Sequence, residues 1–256
     1  MGSRVPFVAA YMTLKILLTA RVVLVAAVFQ PIVFTAIAGL LLHWGERAQP
    51  TLGAAFGVAV MGAWSAVLFF AGGLLTRERR QGTLEMLVAA PAPLLWVVLG
   101  ACMATATLVV YSLVSTIAVA VLFFGVSFTV ASPLALAGSL AMTVVVMGFL
   151  GVALSALFVM YRQAGMFQNV LEVPIWLISG LLVPLSFLPV PVRAVGRLLP
   201  LTWANEALQR SVTGSAPVWP ALLGCALVGC AYLLVGGVLL AFAERRARVL
   251  ATLPLS

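Results

Sequence analysis

The chain has 256 residues, 64% of them hydrophobic and 8% charged, with a net charge of +8 and a mean hydropathy of +1.22. Soluble domains carry roughly 25% charged residues, so this composition excludes a water-soluble globule. The absence of Asp, with a single Lys (Lys15) and a single His (His43), excludes aspartyl dyads, Asp-rich metal motifs, a Walker A lysine after glycine and a two-histidine zinc helix.

In chain order, Phe7, Tyr11, Leu14 and Leu18 recur at helical spacing between Arg4 and Arg21, with Lys15 and Thr19 alongside. The pattern predicts an amphipathic helix lying at the membrane surface. A bilayer-spanning helix needs about 20 predominantly apolar residues, and residues 22–42 supply the first such run. Ala36-Ile37-Ala38 mimics a leader-cleavage site, but the apolar run continues through Leu42, so the segment reads as a span. Residues 52–75 form the second span, in which Gly53, Gly57 and Gly62 permit close helix approach.

A charged elbow follows, Arg77-Glu78-Arg79-Arg80, and Gly82 then breaks the chain. Thr83 is placed to cap a new short helix, with Glu85 in its first turn near the positive dipole end. Leu84, Leu87 and Val88 share one apolar face of that helix, and Pro91 stops it. A capped, apolar-faced helix beside a charge cluster suits docking to a partner protein.

Residues 94–124 and 134–161 read as the third and fourth spans, both longer than the minimum, and residues 167–187 as the fifth. The fifth contains Glu172, the only charge placed well within a span, beside Gln168 and Asn169. An ionisable residue at that depth is a functional candidate, facing the bundle interior. Pro174 and Gly180 are placed to bend this span. In the next segment, Pro191 and Pro200 bracket a short helix carrying Arg193 and Arg197. Thr202 is placed to cap a second helix, and Trp203 and Glu206 follow on it. The pair is expected to re-enter the membrane as a lid over a cavity. Residues 219–243 close the set of six spans.

With six spans both termini share a side. That side holds Arg4, Lys15, Arg21, Arg77, Arg79, Arg80, Arg162, Arg245, Arg246 and Arg248, against Arg47, Arg193, Arg197 and Arg210 on the other. Ten against four places both termini in the cytoplasm. The basic excess is therefore a topology signal, and no nucleic-acid partner is expected. Cys102, Cys225 and Cys230 lie inside apolar runs and read as small buried hydrophobes. The fold class expected is an all-α integral membrane protein, residues 1–256 forming one transmembrane domain.

Several motifs resemble those of type-2 ATP-binding-cassette (ABC) transporter permeases, the membrane subunits of bacterial drug, lipid and polysaccharide exporters. They are Glu78-Arg79 with Gly82-Thr83-Leu84-Glu85 and Pro91; Pro200-Leu201-Thr202-Trp203-Ala204-Asn205-Glu206; Ile178-Ser179-Gly180 with Pro184-Leu185; and Arg21 with Pro31. Arg80 departs from the pattern, standing where the family often has a second acid. The resemblance implies a permease dimer, of two copies or of this chain and a paralogue, in the bacterial inner membrane. Each permease would contact a separate cytosolic ATPase subunit, two in all, that holds ATP and Mg. No cofactor is expected in this chain. It further implies that residues 77–90 are the coupling helix and its approach, and that the N-terminal helix also touches the ATPase. The second and fifth spans would then line the route, with Glu172, Asn169, Gln168 and Pro174 as its path or gating residues. The competing readings are an integral-membrane assembly or haem-export component, and a membrane enzyme. For the enzyme, one His, no Asp and no polar pair at productive spacing leave little to build with.

Overall fold

The structure, a computed structural model, describes residues 5–19, 32–36, 52–89, 93–125, 130–161, 164–182 and 185–250. Among these residues every regular element is helical. Most of the first predicted span lies outside them, as do Arg21, Pro31, Pro91, Arg162 and Pro184.

Four helical runs are long and apolar enough to cross a membrane: Ala55–Gln81, Leu94–Phe123, Pro133–Val159 and Trp219–Arg246. They coincide with the second, third, fourth and sixth predicted spans, because each is an apolar run of the length a bilayer demands. The first is built from α2 (Leu52–Ala66), a π-helical turn (Val67–Ala71) and α3 (Leu74–Gln81). α4 (Leu84–Ala89) follows the elbow. α5 (Leu94–Ala106) and α6 (Leu108–Phe124) make one rod interrupted only at Thr107, whose hydroxyl donates to the Ala104 carbonyl at 2.6 Å. α7 (Pro133–Val159) starts with Ser132 as its cap, the Ser132 hydroxyl accepting from the Ala135 N–H, and with Pro133 in its first turn.

The fifth predicted span is divided. α8 (Ala164–Ile178) has 15 residues, about 22 Å at 1.5 Å per residue, short of the ~30 Å hydrocarbon core. The break follows from Gly180, whose φ of +78° is a left-handed conformation that ends the helix. Beyond it come a single 3₁₀ turn (Leu185–Phe187), α9 (Val190–Gly196), α10 (Pro200–Thr213) and the long α11 (Trp219–Leu250).

The Ala55–Gln81 run sits at the centre, largely enclosed by its neighbours, while Trp219–Arg246 turns most of its surface outward. Phe56, Val60, Trp64, Val67, Leu68, Ala71 and Leu75 of the central run are all buried in one core with residues of α5, α7 and α10. Its small residues allow this. A Cβ on Gly57 would lie 2.6 Å from the Leu181 carbonyl oxygen, and one on Gly62 would lie 2.5 Å from the Ser112 hydroxyl. Ser112 instead donates to the Ala59 carbonyl at 2.9 Å, tying α6 against α2.

α1 (Val5–Thr19) packs along α5, with the Pro6 carbonyl closely opposed to Gly100. The expected division into a polar and an apolar side is not present in it. Phe7, Val8, Tyr11, Met12, Ile16 and Leu18 are exposed, Leu17 is buried, and Lys15 is its one charge. Apolar residues on both the packed and the outward side suit a helix flanked by α5 and by lipid. Cys230 also differs from expectation: it is exposed on α11, whereas Cys102 and Cys225 are buried.

Candidate functional site

The elbow is assembled from ordinary helix-end chemistry. Gly82 adopts φ +73°, its N–H donates to the Arg79 carbonyl at 3.2 Å, and the Thr83 N–H donates to the Glu78 carbonyl at 3.0 Å. These paired bonds satisfy two terminal carbonyls of α3 and turn the chain sharply. The Thr83 carbonyl then accepts from Leu87 N–H at 3.1 Å and opens α4. Its hydroxyl does not cap α4 as expected; it donates to the Glu78 carboxylate at 2.5 Å. An ionised acceptor makes the stronger bond, so the side chain turns back across the elbow.

The charged residues divide between anchoring and exposure. The Arg79 guanidinium donates to the Val159 carbonyl at 3.3 Å, in the last turn of α7, where cations are favoured. Arg77 reaches back to the Phe70 carbonyl at 2.8 Å and lies over the Phe70 ring, 5.9 Å from its centroid. Arg80 and Glu85 are exposed. Leu84 is buried and Leu87 half-buried against the same core. The apolar face of α4 therefore points inward, and Met86, 75% exposed, joins Glu85 on the outward face. Sequence reasoning passed over Met86, which lies off the Leu84, Leu87 and Val88 face that it assigned to the partner.

A second constellation links α8 to the central run. The Ser65 hydroxyl donates to Glu172 Oε1 at 2.6 Å, and one helical turn away Gln168 Nε2 donates to the Leu68 carbonyl at 2.9 Å. Leu68 and Phe70 both belong to the π-helical turn, in which Gly72 N–H bonds the Val67 carbonyl five residues back at 2.8 Å. Such a turn widens the helix and offers carbonyls to outside donors; here Gln168 takes one and Arg77 the other. Glu172 and Gln168 are half-buried on the side facing α2, whereas Asn169 and Pro174 are exposed. Among the described residues Asn169 donates only to the Gly165 carbonyl of its own helix, at 3.1 Å. Two of the four predicted route residues thus meet the central run and two face away. Neither Ser65 nor the π turn carried a signal in the sequence.

At the end opposite the elbow, α10 is wedged among α2, α7 and α11. Pro200 opens it and is buried, as are Leu201, Leu208 and Val212. The Thr202 hydroxyl does not cap the helix; it lies 2.6 Å from the Gly196 carbonyl and 3.1 Å from that of Ser179. Arg193 donates to the Leu185 and Leu188 carbonyls at 3.1 and 3.2 Å. Arg197 is exposed, and its carbonyl accepts from the Trp203 indole at 2.8 Å. Glu206 pairs with Arg210 on the same helix. The backbone N–H groups of Ala131 and Ser132 bond the Val212 and Ser211 carbonyls at 3.1 and 3.2 Å, fastening this end to the α6–α7 connection. The segment is a packed part of the bundle.

No curated protein matches the chain. A family model described as ABC-2 type transporter matches residues 7–213, from the first turn of α1 to the last residue of α10. That span includes the elbow, the α8 constellation and the wedged α10. Members of this family work with a cytosolic ABC ATPase. With its multi-pass apolar helices, the chain belongs to the ABC-2 type transporter family and is a permease component of an ABC transporter.

Proposed function

We propose that the chain is the permease of an exporter in the bacterial inner membrane, with both termini cytoplasmic, and that α4 with the end of α3 is its coupling element. The observation that carries this reading is the division of the elbow. Leu84 is held in the core while Glu85 and Met86 stand outward on the same short helix. Arg79 and Arg77, on the end of α3 from which α4 continues, tie the elbow to α7 and to the π turn of the central run. A push on the outward face is thereby delivered to two membrane helices. ATP and Mg reside on two partner ATPase subunits, and a second permease, a copy or a paralogue, completes the complex.

In this reading α8 borders the route, with Glu172, Gln168, Asn169 and Pro174 as its polar and bending residues. The cargo is an amphipathic drug, lipid or glycan moved outward. The test is a complex of the permease with its co-purifying ATPase in proteoliposomes. Glu85→Ala with Met86→Ala is expected to leave assembly intact while abolishing stimulation of ATP turnover by cargo. Normal cargo-stimulated turnover in that double variant overturns the assignment.

A further inference from the structure

Glu172 is an acid in an unusual position. It lies eight residues into α8, about 12 Å along the helix axis from Ala164. Its partner Ser65 lies twelve residues before Arg77 in the central run, about 18 Å. The pair is therefore at hydrocarbon depth. Oε1 accepts from Ser65 at 2.6 Å, Oε2 has no partner among the described residues, and no basic side chain there pairs with the group. Ionising a carboxyl group at that depth without a counter-charge is costly, and an arriving cation offsets that cost.

Its surroundings fit such a cation. Trp176 follows Glu172 by four residues and shares its helix face. It meets Phe34 edge to face, ring centroids 5.1 Å apart. Aromatic faces beside a carboxylate attract organic cations, and Val173 and Leu177 add exposed apolar surface on the same helix.

We infer that Glu172, with Trp176 and Phe34, forms a subsite for the charged group of an amphipathic organic cation. This rests on α8 bordering the route and narrows the cargo within it. A lone carboxylate attracts a lipophilic cation and repels a phosphate-bearing lipid or an anionic glycan.

The test is equilibrium binding of radiolabelled tetraphenylphosphonium to the full-length permease in phosphatidylcholine nanodiscs. Tetraphenylborate serves as the anion of the same shape. Wild type is expected to bind the phosphonium saturably and to exclude the borate. Glu172→Gln, which keeps an acceptor for Ser65, is expected to bind phosphonium at least tenfold more weakly. Ser65→Ala, which keeps the charge, is expected to stay within threefold of wild type. Three results overturn the inference: no saturable phosphonium binding by wild type, unchanged binding by Glu172→Gln, or a loss in Ser65→Ala as large as in Glu172→Gln. The assay needs no ATPase and no direction of transport, so failure of the exporter reading leaves its outcome readable.

Discussion

The two ends of the bundle use polar residues in opposite ways. At the elbow, Arg80 and Glu85 are exposed, and Leu84 is the one fully buried anchor of α4. At the other end α10 buries Leu201, Thr202, Ala204, Asn205, Ala207, Leu208, Ser211 and Val212, and the buried Thr202, Asn205 and Ser211 donate to backbone carbonyls. In sequence both are charged interruptions between apolar runs. Apolar content does not separate them, since α4 is apolar at every position but Glu85; α10 is enclosed among α2, α7 and α11, whereas α4 buries Leu84 alone. Charge between spans therefore does not by itself distinguish an exposed elbow from a packed wedge.

The largest expected effect is in the wedge. Leu208→Ala should lower unfolding stability by about 2–5 kcal/mol, because a fully buried leucine leaves a cavity; thermal unfolding of the purified permease measures it. If Met86→Ala cost as much, the contrast between the ends would collapse. A finer comparison uses the two glycines that end α3 and α10. Both have positive φ, and a Cβ on Gly82 meets nothing within 4 Å while one on Gly214 meets Ala131 at 3.0 Å. Left-handed strain costs each alanine variant about 1–2 kcal/mol, and Gly214→Ala should cost more than Gly82→Ala. Equal losses would mean that the α10 end is no tighter than the elbow.

Thr202→Val removes a buried donor shared between two carbonyls, worth about 1 kcal/mol within a membrane bundle. Unfolding in the same assay checks it, and an unchanged midpoint would contradict the packed description of α10. The smallest stability effect belongs to Glu85→Gln and Met86→Ala, each within about 0.5 kcal/mol as for exposed positions generally. Their expected consequence is functional: reduced stimulation of ATP turnover by cargo in the reconstituted complex.

Much of the architecture was legible because bilayer thickness constrains apolar run length, as the second, third, fourth and sixth spans illustrate. Gly82 was readable as a break because only a glycine takes a left-handed turn cheaply. The fates of individual hydroxyls were not readable. Thr83 and Thr202 both stand where caps are common, yet one bonds a carboxylate and the other two carbonyls brought in by the fold. Leu84 was expected in the partner-facing set, but tertiary packing draws it inward, and Met86 takes its place outside. Ser65 meets Glu172 across 107 positions of sequence, and no local pattern announces that pairing. The π turn likewise has no local signature, since its residues Val67–Ala71 fit an α-helical apolar pattern equally well.

The most direct test of the elbow's role is site-specific photocross-linking from position 86 in the assembled complex, with position 195 on α9 as the control. Both side chains are exposed, Met86 by 75% and Val195 by 51%. The account predicts an adduct between position 86 and the ATPase, and none from position 195. An assembled complex in which position 86 gives no ATPase adduct, or in which position 195 does, contradicts it.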